Sequence, residues 1–122
     1  MKLLLVDDDA FLRDMYAAKF EEAGHKVAVA KDGHAALALL ESGESFDVVV
    51  LDMVMPGITG VDLLKHITRM QGGESMKCIV LSNQGEQQDI DSAKAAGAVG
   101  YIIKAESIPS EVVAKVTALA SE

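Results

Sequence analysis

Cationic side chains are scarce in this sequence. Lys and Arg number 11 against 19 Asp and Glu in 122 residues, a formal net charge of −8. A surface so acidic repels nucleic-acid phosphates and anionic lipid, which excludes direct binding to either and favours basic partners or a recruited cation. A single cysteine leaves no internal disulfide framework. Cys78 lies in the apolar run Cys78-Ile79-Val80-Leu81 and reads as a small buried hydrophobe rather than a reactive thiol. No apolar run approaches the ~18 residues of a membrane span. The opening Met1-Lys2-Leu3-Leu4-Leu5-Val6 meets three aspartates at once, too soon for a secretory signal, so a soluble cytoplasmic protein is expected. Proline occurs only twice, and no linker or low-complexity tract breaks the chain. With 50% hydrophobic and 25% charged residues, the composition excludes disorder and fits one domain spanning residues 1–122.

What is present alternates regularly. Leu3-Leu4-Leu5-Val6 reads as a buried strand, and residues 10–23 as a helix carrying Leu12, Met15, Tyr16, Phe20 and Ala23, stopped at Gly24. Val27-Ala28-Val29 is a short strand, and Asp32 can cap a helix holding Ala36, Leu37 and Leu40. Phe46 to Leu51 is the strongest strand, rich in β-branched residues, followed by a Met55-Pro56-Gly57 loop. Thr59 or Gly60 opens a helix to about Met70. Met76–Leu81 is a strand, Glu86–Ala96 a helix stopped at Gly97, and Val99–Ile103 a strand. Ser107 is expected to cap a last helix with Pro109 in its first turn and Val112, Val113, Val116, Leu119 and Ala120 facing inward.

Strands that read as continuous apolar runs are covered on both faces, as in a parallel sheet with helices on each side. Right-handed crossovers then give an open, doubly wound α/β sheet. Ligands of such sheets bind beyond the carboxyl ends of the strands. Those ends carry Asp7 and Asp8 after the first strand, Asp52 after the third, Ser82 after the fourth and Lys104 after the fifth. Three carboxylates on one rim repel: at about 5 Å and an effective dielectric near 20, each pair costs roughly 3 kcal/mol. A divalent cation relieves that cost, and a small, partly hydrated all-oxygen cluster suits Mg2+. The lysine and hydroxyl beyond it suit an anionic guest such as a phosphoryl group. Each residue alone has a plainer reading, as turn, cap or surface charge. Their conjunction at successive strand ends selects a single site.

These residues carry a resemblance. Leu5-Val6-Asp7-Asp8, Val49-Val50-Leu51-Asp52-Met53-Val54-Met55-Pro56-Gly57 with Gly60 behind it, Val80-Leu81-Ser82, and Gly100-Tyr101-Ile102-Ile103-Lys104 stand in order along the chain. Over essentially its whole length the sequence resembles the receiver domain of bacterial two-component response regulators, of the CheY-like type. The resemblance implies a five-stranded flavodoxin-like sheet in the order 2-1-3-4-5. It implies Asp52 as phosphoacceptor, with Mg2+ held by the Asp8 and Asp52 side chains and the Val54 backbone carbonyl, and Asp7 acting largely through water. Lys104 would pair with the phosphoryl group, Ser82 would bond one of its oxygens, and Tyr101 stands at the switch aromatic position. The implied partners are a histidine kinase or histidine phosphotransfer protein upstream and a protein target or effector domain downstream. The face of the fourth helix, fifth strand and fifth helix is expected to serve output or homodimerisation.

The sequence departs from the family at several points. Ala105 replaces the proline that usually follows the lysine, so either a trans bond with a shifted loop or a strained cis bond is expected at Lys104-Ala105. Val54 cannot orient an attacking water, Gln84 is no strong base, and Asn83 narrows access, which together predict a long-lived phospho-Asp52. Met53 and Met55 flank the site and are expected to shape its entrance. Asp9 reads as a helix cap, and His25, His34 and His66 as surface or packing residues. Two other functions compete. Asp7-x-Asp9 formally fits a small haloacid-dehalogenase-like phosphatase, although Ala10-Phe11 does not and Asp52 is then unexplained. A pseudo-receiver, binding partners without phosphorylation, would not need the full set of Asp7, Asp8, Asp52, Ser82 and Lys104.

Overall fold

The computed structural model of the protein describes residues 1–122. Its strands are β1 (Lys2–Val6), β2 (Lys26–Ala30), β3 (Val48–Leu51), β4 (Lys77–Ser82) and β5 (Ala98–Ile103). The helices between and after them are α1 (Ala10–Glu22), α2 (Gly33–Glu41), α3 (Gly60–Arg69), α4 (Gln87–Ala95) and α5 (Pro109–Ala120). All neighbouring strands pair in parallel, in the order β2-β1-β3-β4-β5. The central strands β1, β3 and β4 are buried nearly throughout, whereas the edge strands β2 and β5 keep exposed positions. That difference is why the central strands read as unbroken apolar runs. No helix is long and apolar enough to cross a membrane.

The alternation of side chains along each strand divides the core in two. Leu3, Leu5, Val48, Val50, Ile79, Leu81 and Ile102 face α1 and α5, against Tyr16, Phe20, Val112 and Val116. Leu4, Val6, Val49, Leu51, Cys78 and Val80 face α2, α3 and α4, against Ala36, Leu40, Leu63, Leu64, Ile67 and Ala93.

Caps place the helices where the sequence put them, with one exception. The Asp9, Asp32 and Thr59 side chains accept the amide protons of Leu12, Ala35 and Asp62. The cap of α5 is Ile108 rather than the expected Ser107. Pro109 forces its predecessor out of the helical region, so Ile108, at φ −75° and ψ 160°, is the last non-helical residue. The Glu111 side chain supplies the missing acceptor, bonding the Ile108 amide at 3.1 Å.

Candidate phosphoacceptor site

The register places the acids. Leu5 pairs with Val50 and Val6 with Leu51, so Asp7 and Asp52 come next on adjacent strands. The Asp52 amide continues the ladder to the Val6 carbonyl at 3.1 Å, and the Asp7 amide to Ala30 at 3.2 Å. Asp7 follows Leu3 and Leu5 in the row facing α1 and α5, and Asp52 follows Val48 and Val50. Both carboxylates therefore leave the sheet on the same side. Lys104 follows Ile102 on β5, and its ammonium reaches both: 2.7 Å to Asp7 Oδ2 and 2.8 Å to Asp52 Oδ2.

This lysine is deeply set, with its side chain 7% exposed against 2% for Asp7 and 12% for Asp52. Burial alone would lower its pKa, but the hydrogen bonds and charges of Asp52 and Asp7 outweigh burial and raise it. The Lys104-Ala105 peptide is trans, since the chain has no cis bond. Residues Lys104–Glu106 turn as a 3-10 helix, and the lysine still reaches both acids.

Asp7 is fully engaged, its Oδ1 accepting the Asp9 amide at 3.0 Å while Oδ2 takes Lys104. Asp52 Oδ1 receives only the Val54 amide, at 3.3 Å. Asp8 is exposed, and its carboxylate comes together with those of Asp7 and Asp52, one oxygen from each lying within 4.8 Å of the others. Three carboxylates against one ammonium leave a deficit of two positive charges in an all-oxygen cluster open on one side. That donor set fits a hard divalent cation.

Ser82 and Tyr101 continue rows on the opposite sheet face, that of α2, α3 and α4. Ser82 follows Cys78 and Val80, and Tyr101 packs on the same cluster. Ser82 is buried, its Oγ accepting the Gln84 amide at 3.2 Å. The Tyr101 hydroxyl donates to the Gln84 carbonyl. Its pKa is raised, chiefly by burial and then by Asp89, against a lowering contribution from a Ser82 hydrogen bond. The loop after β4 is thus held at Gln84, through its amide and its carbonyl, by these two residues.

Other sequence expectations sort as follows. Met53 and Met55 pack into the core facing α2 and α3 instead of lining the entrance, and Val54, 60% exposed, stands there. Being flanked by methionines turned inward is what leaves Val54 outward. His34 and His66 are exposed and His25 is half-buried, none of them near the acids in sequence. Two residues of α1 were not singled out for the site. The Arg13 Nη1 donates to the Asp7 carbonyl at 3.2 Å. Tyr16, buried in the core under α1, has its pKa raised by burial first, with opposing effects of Lys104 and Asp7. Helical spacing marked Tyr16 only as apolar core, and nothing in the sequence marks where the arginine turns.

Comparison with known proteins identifies the family and the fold. Residues 3–117 match the family model described as response regulator receiver domain, and the chain belongs to that family. It is 35% identical over 105 residues to the chemotaxis protein CheY-3 of Vibrio cholerae, covering 85% of this chain and 80% of that protein. It is 38% identical over 104 residues to the two-component response regulator PhoP of Pseudomonas aeruginosa, covering 85% of this chain and 45% of that longer protein. Among solved structures, the Francisella response regulator 1452 receiver domain superposes with a TM-score of 0.87 at 31% identity, over 98% of this chain and 96% of the other. A putative response regulator from Chloroflexus aurantiacus gives 0.90 at 28% identity, over 99% and 98%.

Proposed function

We propose that this chain is a phosphorylation switch whose Asp52 accepts a phosphoryl group from a phosphohistidine of a histidine kinase or histidine phosphotransfer protein. The observation that carries the reading is the Lys104 ammonium shared between Asp7 and Asp52, with Asp8 close by. An Asp52 carboxylate oxygen attacks phosphorus in line. The phosphorus–nitrogen bond to histidine breaks, and its electron pair leaves with the imidazole. Lys104 moves its hydrogen bond from Asp52 Oδ2 to an equatorial phosphoryl oxygen while keeping Asp7. Asp8, Asp52 and the Val54 carbonyl would hold Mg2+, and Asp7, with both oxygens engaged, would act through water. The bound ion would supply charge neutralisation on the transferring group.

Ser82 would donate its hydroxyl to another phosphoryl oxygen, giving up the Gln84 amide. Tyr101, bonded to the same residue, would then be free to turn. The surface of α4, β5 and α5 changes in consequence, a local electrostatic event biasing a two-state element. A groove of about 370 Å³ on this surface, lined by Tyr101, Ile103, Glu106, Lys115 and Leu119 among others, is the place for a downstream target, an effector domain or a second copy of the chain. The apolar Val54 at the mouth orients no water, so phospho-Asp52 is long-lived, and a half-life of seconds would contradict this.

The phosphatase alternative requires Asp7 as nucleophile. Asp7 is 2% exposed and doubly bonded, whereas Asp52 is 12% exposed, which favours Asp52. Beryllofluoride with Mg2+ tests the reading by nuclear magnetic resonance. Amide shifts are expected from Ser82 through α4 and at Tyr101, and an unchanged spectrum would support the pseudo-receiver instead.

A further inference from the structure

We propose that Arg13 is a positioning residue for the metal-binding loop, acting through the Asp7-Asp8 peptide on the Asp8 carboxylate. This rests on the phosphoacceptor reading, because it assigns a role toward the cation of that site.

Arg13 lies in the first turn of α1, where its amide closes the first helical bond to the Asp9 carbonyl at 2.9 Å. Its long side chain folds back over the loop and is only 17% exposed. The Nε is buried and has no hydrogen-bond partner. The Asp14 carboxylate stands 3.8 Å from it, beyond hydrogen-bond length, and is itself 75% exposed. Desolvating a guanidinium and leaving one donor unbonded is unfavourable, so packing alone does not account for the placement. What the side chain does hold is the Asp7 carbonyl, at 3.2 Å from Nη1.

That carbonyl belongs to the peptide joining Asp7 to Asp8. The peptide is planar, so fixing its oxygen also fixes the amide and the Cα of Asp8, the atom from which the Asp8 side chain departs. The loop's other bonds bypass Asp8. Asp9 caps α1 through Leu12, the Asp9 amide bonds Asp7, and Lys104 bonds Asp7 and Asp52. Of the three acids, Asp8 is the one engaged by neither the lysine nor the loop amides, and it is exposed. Arg13 is therefore the side chain that holds the backbone from which this free carboxylate extends.

The proposal has a sign that a charge effect does not share. A cation beside three carboxylates repels a second cation, so by charge alone removing Arg13 tightens Mg2+ binding. By positioning, its removal weakens binding. The test is calorimetric titration of the metal-free protein with Mg2+, together with thermal unfolding of the metal-free form. Arg13→Met, which keeps the stem and loses donor and charge, is expected to raise the Mg2+ Kd about tenfold. Arg13→Lys, which keeps a donor and the charge, is expected to recover most of that loss. A purely structural arginine would lower the melting temperature of Arg13→Met and leave Kd unchanged, which would overturn the proposal, as would a tighter Kd. If Arg13→Met does not hold its fold, Arg13→Gln decides by the same sign: weaker affinity than wild type supports positioning, and unchanged or tighter binding refutes it. A wild-type chain that takes up no Mg2+ would overturn this inference together with the reading beneath it. A wild type that binds beside an Arg13→Met that binds equally well overturns the inference alone.

Discussion

The ammonium of Lys104 stands 2.8 Å from Oδ2 of Asp52, joining the end of β5 to the end of β3 inside a site where the lysine is 7% exposed. One cation thereby serves two carboxylates, the other being Asp7 at 2.7 Å. Truncating it leaves three acids with no counter-ion. Lys104→Met is expected to destabilise the metal-free protein by about 3 kcal/mol at neutral pH, since breaking a buried pair strands its partner. Urea unfolding in a chelator checks the value, and millimolar Mg2+ should recover a large part of it.

Stability also falls on the alkaline side. Burial pushes the Cys78 thiol up from its ordinary 9.0 to about 12. In the native state it stays protonated where the unfolded chain ionises, so stability is complete below the unfolded value and declines as pH rises toward the native one. The window runs from about 9 to about 12, and the group contributes a loss of about 4 kcal/mol across it. Lys104, whose pKa is also raised, acts with the same sign: its contribution is intact below the unfolded lysine value and lost as pH climbs through the native one. Denaturant midpoints measured from neutral pH upward should fall, with a shallower fall in Cys78→Ala.

Asp8 has the opposite character in the absence of metal. It gains no bond from Lys104 or the loop amides, and an oxygen of it lies within 4.8 Å of oxygens from two other carboxylates. Asp8→Asn is expected to raise metal-free stability by about 1 kcal/mol, the order of such a repulsion in well-solvated surroundings. The same change should abolish stabilisation by Mg2+. Paired melting curves with chelator and with Mg2+ check both halves.

Gly60 supports Asp52 from behind. A Cβ there would lie 2.4 Å from the Asp52 carbonyl oxygen and 2.7 Å from Met53 Cα, both backbone atoms. The Gly60 amide already bonds the Met53 carbonyl at 2.9 Å, so the loop cannot draw back without losing it. Gly60→Ala is expected to cost about 3 kcal/mol by overpacking and to slow phosphorylation by shifting Asp52. Urea unfolding and phosphorylation rates measure the two effects.

The strands were legible because the central ones, past the lysines that open β1 and β4, carry no polar residue until the chain reaches the site. Leu3 to Val6 ends at Asp7, and Val48 to Leu51 ends at Asp52. The same change of character marked both fold and chemistry. Apolar spacing and cap chemistry together marked the helices behind Asp9 and Asp32, and of Thr59 and Gly60 it is Thr59 that caps α3. The cap of α5 was misread because Ser107 has the better side chain, while Pro109 sets the backbone one residue later. Met53 and Met55 looked like gate residues by proximity in sequence, but both pack into the core. Arg13 was silent because its role lies in a side chain folded back on the preceding loop, a direction that neither helical period nor charge encodes.

On the proposed function, Asp52 is the residue phosphorylated. Incubating the chain with Mg2+ and acetyl phosphate, then reducing the acyl phosphate with borohydride and locating the modified residue by peptide mass spectrometry, tests it directly. One phosphoryl group is expected, at Asp52, and none in Asp52→Asn. A label on Asp7 that persists in Asp52→Asn, or no label on the folded wild type, would contradict it.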